Sequence, residues 1–212
     1  MELGLKGKVA LVAAASRGIG RAVAEELAAE GASLVLCARG AEALEAARAE
    51  IAARAGVPVV ALPADVSREE DVSRVVGAGL EAFGRIDVLV TNTGGPPAGP
   101  FEQHTLAAWR EAERLLLESA VHLIRGVLPG MKERRSGRII ALTSIVVKQP
   151  AEGLILSTSL RAAVAGLARS LANELGPYGI TVNHVLPGYT RTERVTELAH
   201  RLAAQRGTTP ES

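Results

Sequence analysis

Short apolar runs alternate along most of the chain with longer stretches in which apolar residues recur at helical spacing. The short runs are nearly continuous in Val, Leu, Ile and Ala and end at Gly, Pro or charged residues, a pattern typical of strands that are buried on both faces. The predicted strands are Val9–Ala13, Leu34–Cys37, Val57–Leu62, Val88–Val90, Ile139–Leu142 and Ile180–Leu186. The predicted helices are Ile19–Glu30, Ala41–Ala55, Ser67–Phe83, Leu106–Met131 and Leu160–Leu175.

This β-α alternation predicts the fold class. A parallel sheet with helices on both faces and right-handed crossovers gives a doubly wound, Rossmann-like α/β fold. The length of 212 residues suits one such domain, from residue 1 to 212. Ser67 and Glu70 form a Ser-x-x-Glu capping box, which predicts that the third helix starts there.

Composition narrows the classes of partner. The formal net charge is +1, so no global field favours nucleic acid or an anionic membrane. Cys37 is the only cysteine, which excludes an intrachain disulfide, and its place inside an apolar strand predicts a core residue. The N-terminus resembles no signal peptide and no apolar run reaches transmembrane length, so we expect a cytoplasmic protein.

A glycine-rich turn joins the first predicted strand to the first helix. Such a turn offers free backbone N–H groups and the positive end of a helix to a pyrophosphate, whereas a tight turn without a ligand is the alternative. The predicted cofactor contacts in this turn are Ala14, Ser16, Arg17, Gly18, Ile19 and Gly20.

The end of the second strand indicates which nicotinamide cofactor is preferred. NAD-binding chains place Asp or Glu there to accept from the ribose 2′-hydroxyl. This strand instead ends Cys37-Ala38-Arg39-Gly40, with no acidic residue before Glu42. Arg39 and Arg17 together suit a 2′-phosphate, which favours NADP(H) over NAD(H).

These motifs resemble those of the short-chain dehydrogenase/reductase family, and the likeness covers nearly the whole chain. Gly18 and Gly20 match its Thr-Gly-x-x-x-Gly-x-Gly motif, whereas Ala13 and Ala14 replace the Thr and the first Gly. Ala14 would be strained if its φ were positive. Further matches imply cofactor contacts from Asp65 and Val66 at the adenine, from Asn92 and Gly94 after the fourth strand, and from Pro187, Gly188 and Thr192 at the nicotinamide end.

The resemblance also implies catalytic positions. Ser144 matches the family's serine, which holds the substrate oxygen. Ser157 and Arg161 stand where the family has Tyr and Lys, and Leu116 stands where it has Asn. An aliphatic hydroxyl is a far weaker acid than a phenol, whose pKa is about 10, and a guanidinium does not release its proton. Tyr189, near the nicotinamide end, is a hypothetical replacement acid.

The implied function is that of an NADP(H)-dependent short-chain reductase similar to 3-oxoacyl-carrier-protein reductases, acting on a small carbonyl or alcohol. Ser144 and Ser157 would polarise the substrate oxygen, and Arg161 would hold the nicotinamide ribose. The alternative is a non-catalytic NADP(H)-binding module or sensor. The family's usual contact surface, here Leu106–Met131 and Leu160–Leu175, implies a homodimer or homotetramer.

Two further segments complete the interpretation. Gly94–Pro100 resembles a linker in composition, but it directly follows a strand, which favours a rigid loop beside the cofactor. Arg194–Gln205 is predicted to be an amphipathic helix. Because the family usually continues with another strand, we expect the sheet to lack its last C-terminal strand.

Overall fold

The computed structural model describes residues 3–190, together with Thr192, Thr196, Ala203 and Thr209. Apart from Thr196 and Ala203, the predicted helix Arg194–Gln205 lies outside the described residues. Within the described part, six parallel strands form one sheet in the order β3-β2-β1-β4-β5-β6. The strands are β1 (Val9–Ala13), β2 (Ser33–Ala38), β3 (Val59–Pro63), β4 (Val88–Thr91), β5 (Gly137–Leu142) and β6 (Ile180–Val185).

Six α-helices among residues 3–190 cover the two faces of this sheet. They are α1 (Gly18–Ala29), α2 (Ala41–Ala55), α3 (Glu69–Phe83), α4 (Leu106–Glu113), α5 (Ser119–Glu133) and α6 (Ile155–Leu175). Successive side chains of a strand point to opposite faces. Leu11 and Val35 therefore join a core with α3, α5 and α6, whereas Val12 and Leu36 join a second core with α1 and α2. The predicted doubly wound, Rossmann-like fold with helices on both faces is confirmed.

The predicted helix Leu106–Met131 is interrupted. A five-residue π-helical segment, Arg114–Glu118, separates α4 from α5, and α5 continues to Glu133. The hydroxyl of Ser119 donates to the carbonyl oxygen of Leu115 at 2.6 Å, next to this wider turn. A π-helical turn leaves the apolar spacing nearly helical, which is why hydrophobic periodicity did not reveal the interruption.

Two predicted helix starts are wrong. The capping box of Ser67 and Glu70 does not form, because the hydroxyl of Ser67 donates to Asp65 Oδ1 at 2.8 Å and α3 begins only at Glu69. Helix α6 begins at Ile155, five residues before the predicted Leu160, so that it includes Ser157. Ser and Thr have weak helix propensity, which hid this first turn.

Two smaller expectations concern burial. Cys37 is fully buried in β2, as predicted, and burial raises the pKa of its thiol to about 12. No helix within the described residues has the length and apolar character needed to cross a bilayer. Within the same residues, β6 is an edge strand of the sheet.

Candidate cofactor and active site

The sequence-predicted site residues meet at the carboxyl edge of the sheet. The strand order reverses between β1 and β4, and ligands of doubly wound sheets bind in the crevice at such a switch point. The glycine-rich turn follows β1, Asn92 follows β4, Ser144 follows β5 and Pro187 follows β6. The topology therefore places these positions along one edge.

The turn after β1 is built around a close backbone approach. A Cβ on Gly20 would lie 2.3 Å from the carbonyl oxygen of Ala14 and 2.8 Å from Nδ2 of Asn92, so only glycine fits. Gly18 has a φ of +58° and begins α1. Arg17, the residue before α1, provides no side-chain cap to the helix, and the first-turn N–H groups of a helix have no intrahelical acceptor. This cradle fits a pyrophosphate.

Ala14 adopts the left-handed conformation, with a φ of 50°. This conformation is costly for a residue with a Cβ, by about 1–2 kcal/mol. The sequence analysis expected strain at Ala14 if its φ were positive, and its φ is positive. Ser16 and Ile19 belong to the same turn and are half-buried.

The predicted adenine-ribose end contains exposed cations and a carboxylate engaged in a turn. Arg17 and Arg39 are both exposed. The carboxylate of Asp65 accepts through Oδ1 from the backbone N–H of Ser67 at 3.0 Å as well as from the Ser67 hydroxyl. Asp65 therefore shapes the loop after β3, and Val66 beside it is buried in the core.

Ser144 stands at the end of β5. Its Oγ accepts from the N–H of Val146 at 3.4 Å, a long bond that caps the short 3₁₀ helix Ile145–Val147. A hydroxyl that accepts one bond keeps its own proton to donate. The backbone N–H of Ile145 donates to the carbonyl oxygen of Pro187 at 3.0 Å, which ties the loop after β5 to the loop after β6.

Ser157 and Arg161 are joined within the first turns of α6. Nε of Arg161 donates to Oγ of Ser157 at 3.2 Å. Nη1 of Arg161 donates to the carbonyl oxygens of Leu142 and Thr143 at 3.2 and 3.1 Å, and Nη2 donates to that of Gly94 at 3.4 Å. The guanidinium therefore links α6 to the carboxyl ends of β4 and β5.

Leu116 lines the same small cavity as this guanidinium. It is buried in the π-helical segment and, with Arg161, lines a cavity of about 10 Å³. The other lining residues come from β4, β5, α5 and α6 and the turns that follow the two strands: Thr91, Asn92, Thr93, Ser119, Ala120, Leu142, Thr143 and Val164.

A contact between two loops was not foreseen from the sequence. The N–H of Gly99, after β4, donates to the carbonyl oxygen of Gly153, before α6, at 2.8 Å. Nε2 of His104 lies 3.1 Å from the carbonyl oxygen of Gly99. The segment Gly94–Pro100 is thus fixed against the loop before α6. The one sign of this contact in the sequence is that both bonded residues, Gly99 and Gly153, are glycines.

The loop after β6 contains the residues predicted for the nicotinamide end. Gly188 has open space around it, and the side chain of Thr192 lies 3.7 Å from the position of a Cβ on Gly18. Thr192 is thereby next to the glycine-rich turn. Tyr189 is 87% exposed.

The fold and this edge define the class of the protein: a doubly wound α/β protein with a phosphate-binding type of turn after its first strand. The chain belongs to the short-chain dehydrogenase family, whose model matches residues 8–203. It is 31% identical over 202 residues to the 3-oxoacyl-[acyl-carrier-protein] reductase FabG of Aquifex aeolicus, which covers 95% of this chain and 82% of the relative.

Solved structures agree with this assignment. The L-sorbose reductase of Gluconobacter frateurii, complexed with NADPH and L-sorbose, is 34% identical with a TM-score of 0.95, covering 100% of this chain and 80% of that chain. An actinorhodin polyketide ketoreductase with NADPH is 32% identical with a TM-score of 0.91, and the match covers 96% of this chain and 78% of the ketoreductase chain. An NAD⁺-bound xylitol dehydrogenase is 30% identical with a TM-score of 0.86, and the match covers 92% of this chain and 77% of the dehydrogenase chain. The family is therefore one of nicotinamide-dependent oxidoreductases.

Proposed function

We propose that this chain is an NADP(H)-dependent oxidoreductase that transfers hydride to or from a carbonyl or alcohol. The observation that carries the proposal is the cradle of Ala14, Gly20 and Asn92 on the same sheet edge as the hydroxyls of Ser144 and Ser157. The cofactor, when bound, supplies the hydride. Relatives that are 3-oxoacyl-carrier-protein reductases make 3-oxoacyl thioesters the first candidate substrates.

The cofactor's binding residues are assigned from position. The turn from Ala14 to Gly20 holds the pyrophosphate, and Arg17 and Arg39 hold the 2′-phosphate, since guanidinium groups pair well with phosphate oxygens. Asp65 and Val66 border the adenine. Asn92, Gly94, Pro187, Gly188 and Thr192 border the ribose and the nicotinamide. NADPH in two of the matched structures supports the preference for NADP(H).

Ser157 and Arg161 stand, in this proposal, where the family has its Tyr and Lys. Ser144 and Ser157 donate hydrogen bonds to the substrate oxygen and stabilise negative charge that develops there. Arg161 leaves the Ser157 proton available, because its Nε donates to the oxygen of that hydroxyl. Arg161 also holds Gly94 in place, and through it the loop that borders the nicotinamide.

A second candidate is a non-catalytic NADP(H)-binding module. The observation that favours it is the engagement of Arg161 with three backbone carbonyl groups, which turns the guanidinium toward the protein. Cytoplasmic location and a homodimer or homotetramer remain part of the main proposal. Helix α6 supports the oligomer, because Ala162, Ala163 and Gly166 on it are small and exposed.

The test begins with a fluorescence titration of NADPH and continues with NADPH consumption against carbonyl substrates. Saturable binding with turnover that Ser144→Ala reduces at least tenfold supports the oxidoreductase. Ser159→Ala is the matched control, because Ser159 is an exposed hydroxyl on α6 and should leave turnover unchanged. Saturable binding without turnover of any carbonyl supports the binding module, and absence of NADPH binding contradicts both.

A further inference from the structure

The loop after β4 is tied to α6 and its preceding turn at two points that bracket Ser157. At one end, Nη2 of Arg161 donates to the carbonyl oxygen of Gly94 at 3.4 Å. At the other end, the N–H of Gly99 donates to the carbonyl oxygen of Gly153 at 2.8 Å. Gly153 comes four residues before Ser157, and Arg161 comes four residues after it. The two bonds therefore close a ring of chain that contains Ser157.

The start of α6 is held by backbone contacts rather than by a side-chain cap. Leu154, the residue before the helix, provides no side-chain cap to its first turn. Leu154 lies beside Gly99 in an isolated parallel bridge, and its carbonyl oxygen accepts from the N–H of Thr158 at 2.8 Å. Ser157 is the third residue of the helix. Because a hydrogen-bonded helical turn moves as a unit, a shift of Leu154 against Gly99 moves Ser157 with it.

His104 fixes the other side of this contact. Its Nε2 lies 3.1 Å from the carbonyl oxygen of Gly99. A carbonyl oxygen only accepts hydrogen bonds, so Nε2 carries the proton and donates it to this bond. The imidazole also packs on the same residue, since a Cβ on Gly99 would lie 3.2 Å from Cε1 of His104. Gly99 is thus held by His104 through its carbonyl group while its N–H holds Gly153.

We propose that His104 is a positioning residue for Ser157 and acts through the bond between Gly99 and Gly153; this inference rests on the proposed function. The imidazole holds Gly99, Gly99 holds the turn before α6, and the first turn of α6 carries the Ser157 hydroxyl. A catalytic group displaced by about 1 Å can cost about 100-fold in rate, so loss of the His104 contact should lower turnover. The bond from Arg161 to Gly94 is independent of His104 and should keep the loop beside the cofactor in place.

The test compares two amides at position 104. The amide nitrogen of glutamine can reach the place of Nε2, whereas asparagine is one methylene too short. The readout is NADPH-dependent reduction of whichever carbonyl compound the chain reduces fastest among 3-oxoacyl thioesters, ketones and aldehydes. We expect His104→Asn to lower kcat at least fivefold, and to change the KM of the carbonyl compound and the dissociation constant of NADPH less than threefold. His104→Gln should restore kcat to within twofold of the original value.

The matched control is His122→Asn in α5, which makes the same chemical change at another half-buried histidine. It should leave kcat, KM and NADPH binding unchanged. A fall in kcat as large as that of His104→Asn would mean that loss of any imidazole loosens the protein, and would overturn the inference.

A double-mutant cycle separates the positioning of Ser157 from general loosening of the fold. Residues that act through one another give non-additive effects, whereas independent effects add in free energy. If His104 acts through Ser157, His104→Asn should lower the kcat of the Ser157→Ala protein by less than a further twofold. If the two losses multiply, His104 acts elsewhere and the inference is overturned.

Amide hydrogen exchange at Gly99 gives a readout that does not depend on turnover. The Gly99 N–H should exchange at least tenfold faster in His104→Asn and return to its original rate in His104→Gln. Unchanged exchange in His104→Asn overturns the inference. If His104→Asn does not fold, Gly153→Ala acts on the same bond from the other side, because Gly153 has a φ of +69° that alanine adopts with strain. Gly153→Ala should show the same non-additivity with Ser157→Ala.

The outcomes distinguish this inference from the proposed function. Absence of turnover in the unchanged protein contradicts the proposed function and the role of His104 with it. Turnover that Ser157→Ala lowers and His104→Asn leaves intact overturns the role of His104 alone. Turnover that Ser157→Ala leaves intact also overturns that role, since there is then no catalytic hydroxyl at Ser157 to position.

Discussion

The carbonyl oxygen of Ala14 lies so close to Gly20 that a Cβ at Gly20 would come within 2.3 Å of it. Asn92, from the loop after β4, contacts the same point through Nδ2. The glycine-rich turn and the start of α1 are thus packed against each other through backbone atoms. Because backbone cannot move aside as a flexible side chain can, this contact sets the shape of the phosphate cradle.

Gly20→Ala should damage both the cradle and the fold. The new methyl group forces Ala14 or Asn92 to move, and overpacking of this kind costs about 1–3 kcal/mol. We expect the free energy of unfolding to fall by that amount and NADPH binding to weaken at least tenfold, measured by urea denaturation and fluorescence titration.

The control is Gly77→Ala in α3. A Cβ there meets nothing within 4 Å, and Gly77 is exposed. Alanine is the better helix former, by about 1 kcal/mol. Gly77→Ala should therefore stabilise the protein and leave NADPH binding unchanged. If the Gly20→Ala protein is as stable as the Gly77→Ala protein, the turn accommodates the added methyl group and the prediction is wrong.

Ala14→Gly should relieve strain. Ala14 has a φ of 50°, which costs about 1–2 kcal/mol for alanine, while the added chain entropy of glycine costs about 0.4–1 kcal/mol. We expect a net gain of about 0.5–1 kcal/mol in the free energy of unfolding. Ala13→Gly is the matched control: Ala13 is fully buried in β1 and has an ordinary strand conformation, so its loss should destabilise. Equal losses from both substitutions would mean that Ala14 is not strained.

Asp87 should make stability depend on pH. Burial by itself would raise the pKa of this carboxyl, but the Arg85 guanidinium and the N–H of Val9 outweigh it and hold the pKa below its usual range. The folded pKa is lower than the unfolded value of about 3.9. The stabilisation is therefore complete above about pH 5 and is lost as the pH falls through the folded pKa.

Asp87→Asn tests this dependence. At pH 7 the variant should lose about 1–2 kcal/mol, since the bond to a charged partner is weakened and Arg85 is partly screened by solvent. The difference from the original protein should vanish below the folded pKa of Asp87, in urea denaturation measured from pH 2.5 to 8. Glu70→Gln removes an exposed pair with Arg68 and should change the curve far less. A constant difference across the whole range would contradict the assignment.

Arg39→Asp should weaken the preference for NADPH over NADH. A charge-assisted hydrogen bond to phosphate contributes about 1.5–3 kcal/mol, so the ratio of NADPH to NADH affinity should fall at least tenfold. Arg54→Asp, at the far end of α2, makes the same charge change away from the crevice and should leave the ratio unaltered. If Arg39→Asp weakens NADPH and NADH equally, Arg39 does not contact a 2′-phosphate.

Hydrophobic patterning was sufficient for the sheet but not for the details of the helices. The strand run Val9–Ala13 was predicted with its observed bounds, since burial on both faces requires a continuous apolar run. The π-helical turn at Leu116 and the first turn of α6 at Ser157 were missed. The weak helix propensity of Ser and Thr hid the first turn of α6. Hydrophobic periodicity also does not encode the side-chain hydrogen bonds found in the two segments, from Ser119 to Leu115 and from Arg161 to Ser157.

The site was predictable where it depends on backbone conformation and less so where it depends on distant contacts. Gly18 and Gly20 indicate a tight turn, because glycine is favoured where φ is positive or where another part of the backbone comes close. The engagement of Arg161 with Leu142 and Gly94 could not be predicted, since these residues are far apart in sequence and neither motif specifies the direction of a long side chain. The bond between Gly99 and Gly153 is of the same kind.

The buried thiol of Cys37 has a practical consequence. With its pKa raised to about 12 and no exposure to solvent, the single cysteine of the chain should be inert toward maleimides and other thiol labels in the folded state. The unsubstituted protein should therefore take up no thiol label of its own. One cysteine introduced at an exposed site, such as Ser159 on α6, would carry a dye or a spin label alone and would report how copies of the chain approach each other.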